Sequence, residues 1–278
     1  MKPAEQLEWE ARNGPKAAAA AFAAGFFVFA SFAIQAVTFS GASGDQGVLL
    51  RIHDQETAVL LGRASEAIST FLTVLALYFL LRRILARRPE GLRFLLPVLV
   101  LAPLLLLVAG IVGYIDATDA AQHFASGAHT KARAKDLVGD LRGPVTLAAG
   151  QAGALCLGFS YVLSGVNGMR SGLLSRFMGI LGIVSGALIV LPVLPAGPIQ
   201  LFWLVALGLL FLGRWPNGRG PAWSKVEAIK WPTAAETRDL ATAGPERHPE
   251  PPVAAEMNGT EEKPAQRRSS RKKKKRKP

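Results

Sequence analysis

Several side chains outside the apolar runs have the chemistry of divalent-metal ligands: His53, Asp54, Glu56, Asp116, Asp119, His123 and His129. Imidazole and carboxylate suit zinc and other first-row ions. Asp119 and His123 stand four apart and share a face if that stretch is helical. Any polar loop shows such spacings, so the expectation is a solvated loop with no metal centre and no bound cofactor. A second set, Ser31, Gln35 and Thr38, recurs at spacings of four and three within an apolar run. Faced by Gln151 and Ser160, it would line a path for a small molecule. The plainer reading is hydrogen bonding between helices.

The third set is electrostatic. Arg267, Arg268, Arg271, Lys272, Lys273, Lys274, Lys275, Arg276 and Lys277 place nine basic residues in eleven positions, interrupted by Ser269 and Ser270. Such a run meets polyanions. Anionic lipid headgroups contribute about 1 kcal/mol per basic residue near the surface. RNA, ribosomes included, binds the same charges by counterion release, but no aromatic residue is interleaved to stack on bases. Lipid is therefore the favoured partner and unspecific RNA the lesser one. The alternative is a run that only solubilises the tail and fixes topology. Phosphorylation of Ser269 and Ser270 would weaken either attachment.

Catalytic signatures are missing. No GxxxxGKS/T, GxGxxG, HExxH, GxSxG or paired CxxC occurs, and no Asp, Glu, Lys, Arg or His lies in the central part of an apolar run. Ion-coupled transporters place an ionisable group at mid-membrane. The chain is expected not to be an enzyme. Cys156, the single cysteine, lies in an apolar run and has no intramolecular disulfide partner. The sequon at Asn258-Gly259-Thr260 falls in the tail and reads as accidental.

These residues depend on elements that the hydropathy defines. Half of the 278 residues are apolar, yet the net charge is +12. The two kinds of residue are segregated, with 16 of 32 Lys and Arg after position 213. That pattern marks a polytopic membrane protein with a soluble tail. The fold class is all-α, with six transmembrane helices in a compact bundle near 17–39, 67–85, 94–115, 145–166, 174–194 and 198–213. Residues 1–16 form an amphipathic lead-in, with Trp9 at headgroup depth. A cleavable signal peptide is not expected, because the first run exceeds an h-region and the lead-in mixes three acids with three bases. Residues 41–65 suggest a short amphipathic helix, and 130–141 another. Arg82 and Arg83 are expected to snorkel to the headgroups. Pro192, Pro195, Gly197 and Pro198 turn the last hairpin, and Trp215, Trp223 and Trp231 mark the interface. Small residues at Gly150, Ala154 and Gly158, and at Ser175, Gly179, Gly182 and Gly186, allow close helix approach. The segment 216–278 is a cytoplasmic tail, disordered from about 234 and polybasic at 267–277.

Positive-inside counting sets the orientation. The segments 1–16, 82–93 and 167–176 hold three, five and two Lys or Arg, against two, four and none in 42–66, 116–144 and 195–197. Both termini are expected in the cytoplasm.

Three groups of segments carry a resemblance. They are Glu8-Trp9-Glu10-Ala11-Arg12; Tyr78-Phe79-Leu80-Leu81-Arg82-Arg83 with Ala86-Arg87-Arg88-Pro89-Glu90; and Met169-Arg170-Ser171-Gly172-Leu173-Leu174-Ser175-Arg176-Phe177 with Phe211-Leu212-Gly213-Arg214-Trp215-Pro216 and Pro221-Ala222-Trp223. Over residues 5–235 the chain resembles a family of integral membrane proteins of unknown function from high-GC actinobacteria and their relatives. The resemblance implies a bacterial plasma membrane and six helices, and carries over no catalytic or ligand residue. The function expected is that of a non-enzymatic scaffold or accessory protein. The alternatives are a small-molecule transporter or channel, and a membrane enzyme using the loop His and Asp groups.

Overall fold

In the computed structural model, residues 2–88, 93–140, 143–191, 196–216, 218–229 and 231 are described. Among them are eight α-helices, one 3-10 turn and no strand. Helix α1 spans Pro3–Thr38. Proline at its first position and Glu5, whose Oε2 accepts from the Lys2 backbone N–H at 3.1 Å, favour an early start. The expected lead-in is therefore continuous with the first apolar run. Pro15 lies inside the helix, where it forfeits one backbone bond without ending it.

Helices α2 (Gly44–Asp54) and α3 (Glu56–Arg87) meet at Gln55, which caps both. The expected short helix over 41–65 thus divides, and its second half becomes the start of α3. Helix α4 (Leu95–Ala125) keeps Pro103 inside and runs well past Ile115, carrying Asp116, Asp119 and His123 onto a helix. Helix α5 spans Lys131–Asp140, α6 Pro144–Arg170, α7 Arg176–Val190 and α8 Gly197–Leu212. A 3-10 turn follows at Pro221–Ser224.

Helices α1, α3, α4 and α6 are long and apolar enough to cross a membrane. Helices α7 and α8 are apolar but have 15 and 16 residues. At ~1.5 Å per residue they reach about 23 and 24 Å, short of the ~20 residues that a ~30 Å hydrocarbon layer requires. Part of the expected proline turn between them, 192–195, lies outside the described residues.

Six helices close a ring by contacts α1–α3, α3–α4, α4–α6, α6–α7, α7–α8 and α8–α1. In lipid, such packing rests on close backbone approach rather than on exclusion of water. The small residues of α6 and α7 provide it. A Cβ on Gly158 would lie 2.7 Å from the Gly186 carbonyl oxygen, and one on Gly165 2.7 Å from that of Gly179. Trp203 of α8 seats its indole against Gly182, donates from Nε1 to the Met178 carbonyl at 3.0 Å, and packs on Tyr161. Outward, Phe26, Phe29, Phe32, Leu104, Phe159 and Ile180 are all more than half-exposed or close to it. A water-soluble surface does not carry a belt of that kind. A second, smaller core sits at the end distant from the N-terminus, where Leu49 and Ile52 of α2, Ala120, Ala121 and Phe124 of α4, and Ala134 and Leu137 of α5 pack together.

Candidate functional site

The chemically richest point lies at the opposite end, where α1 begins, α3 ends and the chain leaves α8. Glu10 and Gln6 are one helical turn apart on α1, and the Gln6 Nε2 donates to Glu10 Oε1 at 3.0 Å. Arg83 and Arg87 have the same spacing on α3, so both guanidinium groups reach one carboxylate. Arg87 grips Glu10 with two parallel bonds, Nη1 to Oε1 at 2.7 Å and Nη2 to Oε2 at 3.1 Å. Arg83 Nη2 lies 2.5 Å from Glu10 Oε2. All four residues are buried.

Two cations against one carboxylate leave an excess of positive charge, and backbone carbonyls meet it. Arg87 Nε donates to the Ala222 carbonyl at 3.0 Å and Arg83 Nη2 to that of Trp223 at 3.3 Å. The Arg83 guanidinium carbon stands 3.7 Å from the Trp223 ring centroid, a contact worth about 2 kcal/mol when desolvated. Trp223 in turn donates from Nε1 to the Leu173 carbonyl at 2.8 Å. Arg219 covers the indole's surroundings at 4.9 Å and donates to the Phe211 carbonyl. Partial burial pulls the Arg219 pKa below its ordinary value. A Cβ on Gly172, at φ +77°, would overlap the Ile229 carbonyl oxygen, and one on Gly220 would overlap that of Gly172. The result is a latch. It fixes the 3-10 turn against the ring.

This placement corrects two expectations. Arg83 is not a snorkelling residue, because α3 continues to Arg87 and the post-α8 segment covers it. Trp223 is buried in the latch instead of lying at an interface, and Trp9 stacks on Phe79 with ring centroids 5.6 Å apart. Arg82 keeps a more open position. With Gln6, Arg93 and Val226 it lines a groove of about 530 Å³ beside the latch. The pairing of Glu10 with Arg87 was missed by sequence reasoning. The available signal was that both, with Trp223, lie in the segments that carried the resemblance.

The sequence-predicted ligands stay apart. Asp119 and His123 do share a helix, but no group of three or more His, Cys, Asp or Glu able to hold a metal ion occurs among the described residues. His53, Asp54, Glu56, Asp119, His123 and His129 are exposed. His129 stacks on Phe124, with its ring Nε2 3.1 Å from the Ala125 carbonyl. The polar stripe bonds within its own helix, Gln35 Nε2 donating to Ser31 Oγ at 3.0 Å, and Ser160 bonds back to the Cys156 carbonyl. Gln35 and Thr38 line a cavity of about 60 Å³, and Gln151 is exposed and not part of it. Arg267, Arg268, Arg271, Lys272, Lys273, Lys274, Lys275, Arg276 and Lys277 lie outside the described residues.

A model for a domain of unknown function, DUF4386, matches residues 17–215. The chain belongs to the DUF4386 family. Comparison with curated proteins and with solved structures gave no match. The matched stretch takes in Arg83 and Arg87, while Glu10 and Trp223 fall just outside it. The family assigns no activity.

Proposed function

We propose that the protein is a non-enzymatic scaffold or accessory protein of the bacterial plasma membrane, of the actinobacterial type. Six of its helices lie in the membrane, with both termini in the cytoplasm and a polybasic tail on the inner surface. The observation that carries this reading is the latch, which pins the chain leaving α8 against the basic end of the ring. Around the latch stand Arg12, Lys16, Arg82, Arg88, Arg93, Arg170, Arg176, Arg214 and Lys225, opposed by Glu5, Glu8 and Glu227. The other end mixes Arg51, Arg63, Lys131, Arg133 and Lys135 with Asp45, Asp54, Glu56, Glu66, Asp116, Asp119 and Asp136. A basic end belongs on the cytoplasmic side. The shortness of α7 and α8 does not disturb this orientation, because a hairpin that turns inside the bilayer returns to the face it left.

Reporter fusions after residues 60, 130 and 278 test the arrangement. The expected result is periplasmic activity at 60 and 130 and cytoplasmic activity at 278. An active periplasmic reporter at 278 would overturn it.

A further inference from the structure

A cleft of about 710 Å³ opens between α3 and α4, with α6 as its back wall and α2 above it. That volume lies in the ~300–1,000 Å³ range of small-molecule sites. Its deep part is apolar: Ala67, Pro103, Leu106, Leu107 and Gly110. Its mouth carries Arg63, Glu66 and Tyr114. Neither the latch nor the proposed tail function uses it.

We propose that this cleft holds one zwitterionic aminophospholipid of the leaflet at the α2 end, of the phosphoethanolamine kind. Depth is the first reason. From Pro103 to Tyr114 the wall of α4 descends about 16 Å at ~1.5 Å per residue, which is one leaflet of a ~30 Å hydrocarbon core. Glu66 is the last charged residue before the long apolar stretch of α3, and Tyr114 stands just before Asp116 on α4. The polar rim therefore lies at headgroup level and the apolar wall at acyl-chain level. The mouth includes Leu60 and Ile111, both about half-exposed, so a chain enters sideways from the bilayer.

Charge is the second reason. Arg63 and Glu66 face each other at 3.3 Å with side chains 51% and 56% exposed, a pair that holds little energy of its own and exchanges readily. A second carboxylate, Glu56, accepts from the Tyr114 hydroxyl at 3.2 Å. One cation beside two carboxylates complements a phosphate followed by a primary ammonium. Arg63 takes the phosphate, and Glu66 and Glu56 take the ammonium protons. An anionic headgroup would meet a net negative rim, and a quaternary ammonium has no proton to donate. On the α6 wall, opposite Gly113, Thr146 adds an Oγ1 with no hydrogen-bond partner among the described residues. It stands at the depth of a glycerol ester carbonyl.

Native mass spectrometry of the full-length chain, reconstituted with equal amounts of phosphatidylethanolamine, phosphatidylcholine and phosphatidylglycerol, tests this. The expected result is one retained phospholipid per chain, with phosphatidylethanolamine enriched several-fold over the other two. A Cβ on Gly110 would meet nothing within 4 Å and Gly110 lines the cleft, so Gly110→Phe directs a ring into it and should abolish retention. Ile111→Trp at the mouth provides a second block should the first variant misfold, with thermal melting as the control for both. Arg63→Gln with Glu66→Gln should keep a bound lipid but erase the headgroup preference. Retention at the unmodified level in both blocked variants, a preference for phosphatidylglycerol, or no retained lipid in the unmodified chain would each overturn the proposal.

Discussion

Glu10 is the residue on which the terminal end turns. It is a single carboxylate shared by two guanidinium groups in a buried site, and its removal strands both charges. Breaking a buried pair costs about 3–5 kcal/mol, because the surviving partner stays unpaired in a poorly solvated place. Glu10→Gln is expected to fall in that range by thermal unfolding in detergent. Arg87→Leu alone is expected to be milder, since Arg83 still neutralises Glu10 and the Ala222 carbonyl loses one donor. The double variant Glu10→Gln/Arg87→Leu should lose less than the sum of the singles, as contacting residues do. A sum that adds within experimental error would mean that the two side chains do not share the contact seen here.

At the scale of elements, the α6–α7 contact separates glycines that matter from those that merely recur. Gly186 faces the Gly158 carbonyl so closely that any side chain must move a backbone, whereas a Cβ on Gly150 would meet Ala109 at an ordinary 3.7 Å. Gly186→Leu, and more so Gly182→Leu/Gly186→Leu, should lower the melting temperature and disturb assembly. Gly150→Ala should hold or gain stability, by up to ~1 kcal/mol from helix propensity. A double Leu variant with unchanged melting would place these faces against lipid. The sequence shows the helices and the small-residue stripes, because apolar length and i, i+4 spacing are local properties. It does not show which glycine meets which carbonyl, nor that Arg87 finds Glu10, because those are facts about chain closure. Helices α1, α3 and α4 also run past the membrane spans expected for them. Their apolar runs stop at the edge of the hydrocarbon, but nothing there breaks a helix, so each continues into the polar zone. The metal-like residues on loops and on the end of α4 had suggestive types but no shared vertex.

At the scale of the whole molecule, the latch bears on the behaviour of the tail. Trp223, held by Arg83 and Leu173, keeps the chain leaving α8 at the basic end of the ring. Tethering makes any contact between the run Arg267–Lys277 and the adjacent leaflet nearly intramolecular, so a weak attraction suffices. With about 1 kcal/mol for each basic residue close to an anionic surface, a few residues engaged at a time hold the tail without a fold. A peptide of residues 260–278 is expected to bind anionic liposomes and not neutral ones at physiological salt, and to lose affinity when Ser269 and Ser270 carry phosphate. If RNA is bound, affinity should be equal for unrelated sequences and fall steeply with salt, as counterion release dictates. Equal binding to neutral and anionic liposomes, or binding to neither, would remove the lipid contact and leave the run as a charge that fixes topology.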